Sequence, residues 1–239
     1  MVNAVILLAA GRGSRMGQAC EDKITLTLAG KPVISHSFEA FAQTGLFEHF
    51  VVVYRDREQQ QALSAALSQC NLHLAQISWV CGGKERQDSV FHALSEVSLL
   101  VDAVFMHDCA RPAVRPEAIR RVAQAVRRDG AAVLAHRVTD TIKEVACDKS
   151  DFRQCQLTNL NRAHLWAMQT PQAFEREAIT EAYRKLRLDG ILVTDDTAAY
   201  ARQGKSITLI ENPHPNPKLT TASDMAYLDF LLRQPQPTA

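Results

Sequence analysis

Short apolar runs alternate along this chain with stretches of helical spacing. Val5-Ile6-Leu7-Leu8-Ala9 is wholly apolar, as expected of a strand buried on both faces. Further strands are expected at His49–Tyr54, Ile77–Val80, Ala103–His107, Ala131–Ala135 and Ile207–Glu211. Between them the spacing predicts helices from about Pro32 to Thr44, Arg57 to Cys70, Arg86 to Val97 and Pro116 to Arg128, the last capped near Gly130. Strands alternating with helices predict an α/β fold: one Rossmann-like domain with a mostly parallel sheet covered on both faces. Right-handed crossovers then place ligand-binding loops at the carboxyl ends of the strands.

The rhythm breaks between about Val138 and Trp166, where the chain turns polar and mixed. Lys143-Glu144-Val145 and Gln156-Leu157-Thr158 are possible short strands of a hairpin-like β-arm, at about 138–162. Helices are expected again at Ala173–Leu188, Asp195–Gln203 and Ser223–Leu232, with Ser223 as the last N-cap. The domain is expected to span residues 1–232, and the proline-bearing tail 233–239 to be disordered.

Composition removes several classes. Of 239 residues, 46% are hydrophobic and 22% charged, and the net charge is +1. That balance gives no basis for a nucleic-acid binder or a polybasic membrane patch. No apolar run approaches the ~20 residues needed to span a bilayer. The first eight residues fit a first strand better than a signal peptide, because they lack a basic start and run straight into a glycine loop. Cys20, Cys70, Cys81, Cys109, Cys147 and Cys155 form no C-x-x-C pair, so ordinary thiols in a reducing cytoplasm are expected rather than disulfides or zinc.

The loop after the first strand, Ala9-Ala10-Gly11-Arg12-Gly13-Ser14-Arg15-Met16-Gly17, carries the strongest chemical signal. Gly11 and Gly13 allow a tight turn that aims backbone N–H groups at an anion. Arg12, Arg15 and Lys23 add positive charge suited to a triphosphate. A dinucleotide fold needs G-x-G-x-x-G and an acid after the second strand. Here the spacing is G-x-G-x-x-x-G, and Arg55 follows the second strand. The G-x-x-x-x-G-K-[ST] pattern of nucleotide-triphosphate hydrolases is absent. Asp108, at the end of a strand, suits a helix cap, a salt bridge or a metal held against phosphate oxygens.

Five ordered segments carry a family resemblance. They are the L-x-A-A-G-x-G-x-R-M-G loop, Gly82-Gly83-Lys84-Glu85-Arg86-Gln87-Asp88-Ser89-Val90, His107-Asp108-Cys109-Ala110-Arg111-Pro112, Asp140-Thr141-Ile142-Lys143, and Arg162 through Trp166 to Gln169-Thr170-Pro171-Gln172. Over about residues 4–232 the chain resembles the 2-C-methyl-D-erythritol 4-phosphate cytidylyltransferase family. That resemblance implies transfer of a cytidylyl group from CTP to methylerythritol phosphate, with Mg²⁺, in the non-mevalonate route to isoprenoids.

It implies a nucleotide site at Ala9, Ala10, Gly11, Gly13, Arg15, Lys23, Gly83, Arg86, Ser89, Asp108 and Ala110. Gly83 would let the backbone approach the base, and Ser89 would reach a ribose hydroxyl. Acceptor contacts are implied at Arg111, Thr141, Arg162, Thr170 and Lys218, with Arg111 either positioning the acid or supporting the fold. Arg15, Lys23, Asp108, Arg162 and Lys218 would carry catalysis, and Asp108 would hold the metal. His107 is read as structural, because a phosphate dianion needs no base. The resemblance also implies a homodimer in which the arm completes the neighbour's acceptor site.

The chain departs from the family behind the glycine loop. Glu21-Asp22-Lys23-Ile24-Thr25 replaces the usual P-K-Q and aromatic, and the two acids are expected to offset part of the Lys23 charge. Alternatives are a ribitol-5-phosphate cytidylyltransferase and a nucleotide-binding homologue with impaired catalysis.

Overall fold

A computed structural model describes residues 1–11, 22–70, 76–145 and 154–234. In chain order the elements are β1 (Asn3–Leu8), β2 (Thr27–Leu28), β3 (Lys31–Pro32), α1 (Val33–Ala42), β4 (Phe47–Tyr54), α2 (Arg57–Ser68), β5 (Gln76–Cys81), α3 (Arg86–Glu96) and β6 (Ala103–Asp108). They continue with α4 (Pro116–Asp129), β7 (Ala131–Arg137), β8 (Lys143–Val145), β9 (Leu157–Asn159), β10 (Trp166–Glu175), α5 (Arg176–Asp189), α6 (Asp196–Ala201), β11 (Thr208–Glu211) and α7 (Ser223–Arg233).

The main sheet has seven strands in the order β11-β7-β10-β6-β1-β4-β5. β1 lies inside it, parallel to β4 on one side and β6 on the other. Its apolar run follows from that place, since both faces are covered. Val5 and Leu7 pack with Phe38, Phe41 and Phe105 in one core. Ala4 and Ile6 pack with Val90, Met106 and Phe174 in the other. Full burial of such side chains contributes roughly 1.5–3 kcal/mol each against solvent exposure. α4 ends as expected, at Gly130 with φ +80°, a left-handed cap that favours glycine.

Two expectations are corrected. Residues 173–175, read as the start of a helix, close the ten-residue strand β10, and α5 begins only at Arg176. β10 runs antiparallel between β6 and β7. Its register shifts between Met168 and Gln172, and this irregularity accommodates Pro171 inside a core strand. Ser223 is the first residue of α7, not its N-cap, and Ala222 in the capping position makes no side-chain bond. The Asp224 carboxylate instead accepts from the backbone N–H of Thr220 and of Thr221, both at 2.7 Å.

The arm is present. β8 and β9 form an antiparallel pair outside the main sheet. α7 runs to Arg233, one residue into the expected tail; residues 235–239 lie outside the described set. Among the described residues Cys70, Cys81, Cys109 and Cys155 are free thiols, and no helix is long and apolar enough to cross a membrane.

Candidate active site

The carboxyl ends of β1, β4, β5 and β6 open onto one edge of the sheet. There a cleft of about 910 Å³ is lined by Leu8, Ala9, Ala10, Gly11, Lys23, Arg55, Gly82–Arg86, Ser89, Asp108, Ala110 and Lys218, among others. A crevice outside the carboxyl ends, where strand order reverses, is where open α/β sheets bind ligands. Lys23, Arg55, Lys84, Arg86 and Lys218 outnumber Glu85 and Asp108 in its wall, which suits a polyanion.

Asp108, the last residue of β6, organises the charges. Arg86 Nε donates to Oδ1 at 3.3 Å, and Lys218 Nζ donates to Oδ2 at 2.5 Å. Burial would raise the Asp108 pKa, but the Arg86 and Lys218 cations outweigh it and hold the carboxyl well below the ordinary range. The group is therefore an anion at every physiological pH. The backbone N–H of Asp108 donates to Thr170 Oγ1 at 3.1 Å, and that hydroxyl lies 3.0 Å from His107 Nδ1. His107 itself is fully buried against Phe41, and burial pulls its pKa down to about 3. A neutral, enclosed imidazole agrees with a structural role.

Lys218 is carried by an irregular segment that the chain ties down at several points. Leu219 N–H donates to Ala110 O at 2.7 Å, Arg111 Nη1 to Asn216 O at 2.7 Å, and Asn216 Nδ2 to Thr170 O at 3.2 Å. Lys23 joins the same segment: it is buried, and its Nζ donates to Leu219 O at 2.8 Å. Asp22 turns to other partners, accepting from Gln59 Nε2 at 2.5 Å and lying 3.8 Å from Arg55 Nη2.

The second glycine loop is shaped by packing. A Cβ on Gly83 would sit 2.2 Å from the Asp88 Cβ, so glycine is required there by α3 itself. Asp88 belongs to a capping box with Glu85 that closes the start of α3. The Ser89 hydroxyl accepts from Gly83 N–H at 3.0 Å and donates to Glu85 O at 3.2 Å, so it braces this loop.

The structure thus gathers Ala9, Ala10, Gly11, Lys23, Gly83, Arg86, Ser89, Asp108, Ala110 and Lys218 at one cleft. Thr170 and Arg111 stand behind its wall rather than in it. Thr170 is buried under Asp108, and Arg111 holds the Asn216 carbonyl. Thr141 and Arg162 lie exposed on the arm and do not line the cleft of their own chain. Gly13 and Arg15 lie outside the described residues. Arg55 also lines the cleft and Asp196 is the buried partner of Arg86, neither of which the sequence motifs mark. The paired acids Asp195-Asp196 are the available sequence signal, but at a helix start they also fit ordinary capping.

The donor set fits Mg²⁺. Among the described residues no cluster of three or more histidine, cysteine or acidic groups could hold a metal alone. One ionised carboxylate is a donor Mg²⁺ accepts where phosphates and water supply the other ligands.

A family model for 2-C-methyl-D-erythritol 4-phosphate cytidylyltransferase matches residues 3–234. The chain belongs to this family. A relative of that name from Caldanaerobacter subterraneus is 35% identical over 97% of this chain and 99% of its own. One from Halalkalibacterium halodurans is 33% identical over 98% of each chain. A crystal structure of the Thermus thermophilus cytidylyltransferase superposes with a TM-score of 0.76 at 25% identity, covering 98% of this chain and 100% of that one. The fold is also that of a 4-diphosphocytidyl-2C-methyl-D-erythritol synthase from Anaerococcus prevotii, with a TM-score of 0.82 at 22% identity, covering 98% and 96% of the two chains.

Proposed function

We propose that this cleft transfers the cytidylyl group of CTP to 2-C-methyl-D-erythritol 4-phosphate. The products are 4-diphosphocytidyl-2-C-methyl-D-erythritol and pyrophosphate, on the non-mevalonate route to isoprenoid precursors. The observation that carries the reading is Asp108, held ionised between Arg86 and Lys218 where two glycine-bearing strand ends meet.

An oxygen of the acceptor phosphate attacks the α-phosphorus of CTP. The bond from that phosphorus to the bridging oxygen breaks, and pyrophosphate carries away the electron pair. Such a transfer asks the protein for positioning and charge neutralisation. Gly83 and the braced loop before α3 offer close backbone approach to the base. Lys23 and Arg86 face the triphosphate; Arg15 and Gly13, outside the described residues, are assigned to it by the family resemblance alone. Lys218 leaves Asp108 to meet the acceptor phosphate. Asp108 would hold Mg²⁺, which when bound neutralises phosphate charge.

The acceptor side is completed by a second copy in this reading. Thr141 and Arg162 sit on an exposed arm, away from their own cleft, and exchange of arms in a homodimer would bring them to the partner's. Sedimentation showing a fully active monomer would contradict the exchange. A cytoplasmic enzyme agrees with the free thiols.

The test is pyrophosphate release from CTP, ATP, GTP and UTP, each with methylerythritol phosphate and with ribitol 5-phosphate. Release with CTP and methylerythritol phosphate supports the reading. Preference for ribitol phosphate reassigns the acceptor. Binding of CTP without release would indicate an impaired homologue.

A further inference from the structure

Asp196, the first residue of α6, is fully buried and has no part in the chemistry above. Its carboxylate accepts from Arg86 Nη1 at 3.0 Å, Arg86 Nη2 at 2.7 Å and the Tyr183 hydroxyl at 2.5 Å. The place of Asp196 is itself fixed. Asp195 caps α6 through Ala198 N–H at 2.9 Å, and Gln172 Oε1 accepts from the N–H of Asp196 at 3.1 Å. Gln172 belongs to β10 and pairs with Met106 of β6, two residues before Asp108. The strand beside Asp108 therefore sets the position of Asp196.

The geometry has a consequence for Arg86. A guanidinium binds carboxylates best through a two-pronged fork. Here both Nη prongs are given to Asp196, and only the Nε edge reaches Asp108, at the longer distance of 3.3 Å. A buried carboxylate left unpaired is costly, so Asp196 keeps its hold on the fork. Without that hold, the fork is free to turn onto Asp108 and engage both of its oxygens. The cation would then leave its place, and the carboxylate would be closed to phosphate-bound ligands.

We propose that Asp196 is a positioning residue for cytidylyl transfer: it clamps the Arg86 guanidinium so that the cation lines the nucleotide cleft and meets Asp108 only through its Nε edge. Tyr183 completes the clamp by donating to the same carboxylate. This role rests on the reading of the cleft as a CTP site. Turnover of CTP by the unaltered enzyme tests that reading separately.

The experiment measures KM for CTP, KM for the acceptor and kcat in Asp196→Asn, Arg86→Gln and the double variant, with thermal melting as the control for folding. Asp196→Asn is expected to raise KM for CTP at least tenfold and to change KM for the acceptor less. Adding it to Arg86→Gln is expected to change KM for CTP less than twofold, because its effect passes through Arg86. A general structural role predicts multiplied penalties in the double variant, and that result overturns the proposal. An unchanged KM for CTP in folded Asp196→Asn also overturns it. Should a substitution at 196 or 86 prevent folding, Tyr183→Phe keeps the clamp testable. It is expected to raise KM for CTP two- to fivefold with kcat nearly constant, and no change there overturns the assignment.

Discussion

The Lys218 ammonium lies 2.5 Å from the Asp108 carboxylate, across 110 residues of sequence. The pair joins the end of a central strand to an irregular segment held by backbone hydrogen bonds and by the buried Leu219 side chain. Lys218 therefore has two partners in the proposed cycle, Asp108 before the acceptor binds and the acceptor phosphate afterwards.

Lys218→Ala removes one charged hydrogen bond to the acceptor. Such bonds contribute about 1.5–3 kcal/mol, equivalent to a fall in kcat/KM for the acceptor of roughly 10- to 150-fold. Kinetics with the acceptor varied at saturating CTP check this. KM for CTP is expected to move much less.

Lys23→Ala is expected to cut turnover by orders of magnitude, as removal of preorganised charge at a developing oxyanion does. The sequence alone suggests little effect on the fold. The structure changes that expectation, because Lys23 is buried and its ammonium satisfies the Leu219 carbonyl. Leaving that acceptor unpaired costs about 1–3 kcal/mol. Urea denaturation alongside the activity assay reads both effects.

Gly83→Ala forces a methyl group into the Asp88 side chain, 2.2 Å away, so the capping box of α3 must move. The expected loss is about 1–3 kcal/mol of stability, typical of overpacking, together with a rise in KM for CTP. Gly11→Ala is the control for stability, since among the described residues a Cβ there meets nothing within 4 Å.

Acid titration should expose His107. Burial lowers its pKa from 6.5 to about 3, so between those values the unfolded chain binds a proton that the native chain does not. Stability contributed by the neutral ring is full above pH 6.5 and falls as pH drops, by up to about 1.4 kcal/mol per unit. In metal-free buffer, His107→Gln is expected to lose about 2 kcal/mol less than the unaltered protein between pH 7 and pH 5. Equal losses would place the proton elsewhere.

The parallel strands are legible in the sequence because burial on both faces leaves an unbroken apolar run, as in β1 and β6. β10 is not, because its core positions are polar. Gln169, Thr170 and Gln172 are all buried, but each is satisfied by partners remote in sequence: Asn212, the Asp108 backbone and the Asp196 backbone respectively. Hydropathy cannot report a polar core whose hydrogen bonds close only in the folded chain. The same limit hides Asp196. Its adjacent Asp195 is an ordinary N-cap, and nothing local shows that the next acid reaches Arg86, 110 residues earlier. Lys23, Asp108 and Lys218, which the resemblance implies, do line the cleft, whereas the contacts of Thr170 and Arg111 behind it become visible only in the structure.

The proposed reaction bonds the acceptor phosphate to the α-phosphorus of CTP in this cleft. Phosphorus NMR of the purified protein with CTP, methylerythritol phosphate and Mg²⁺ follows that bond directly. Two coupled diphosphate resonances of a CDP-alcohol are expected to grow, matched one-to-one by pyrophosphate. Appearance of CMP or inorganic phosphate alone, or an unchanged CTP spectrum under conditions where the protein is folded and binds CTP, would contradict it.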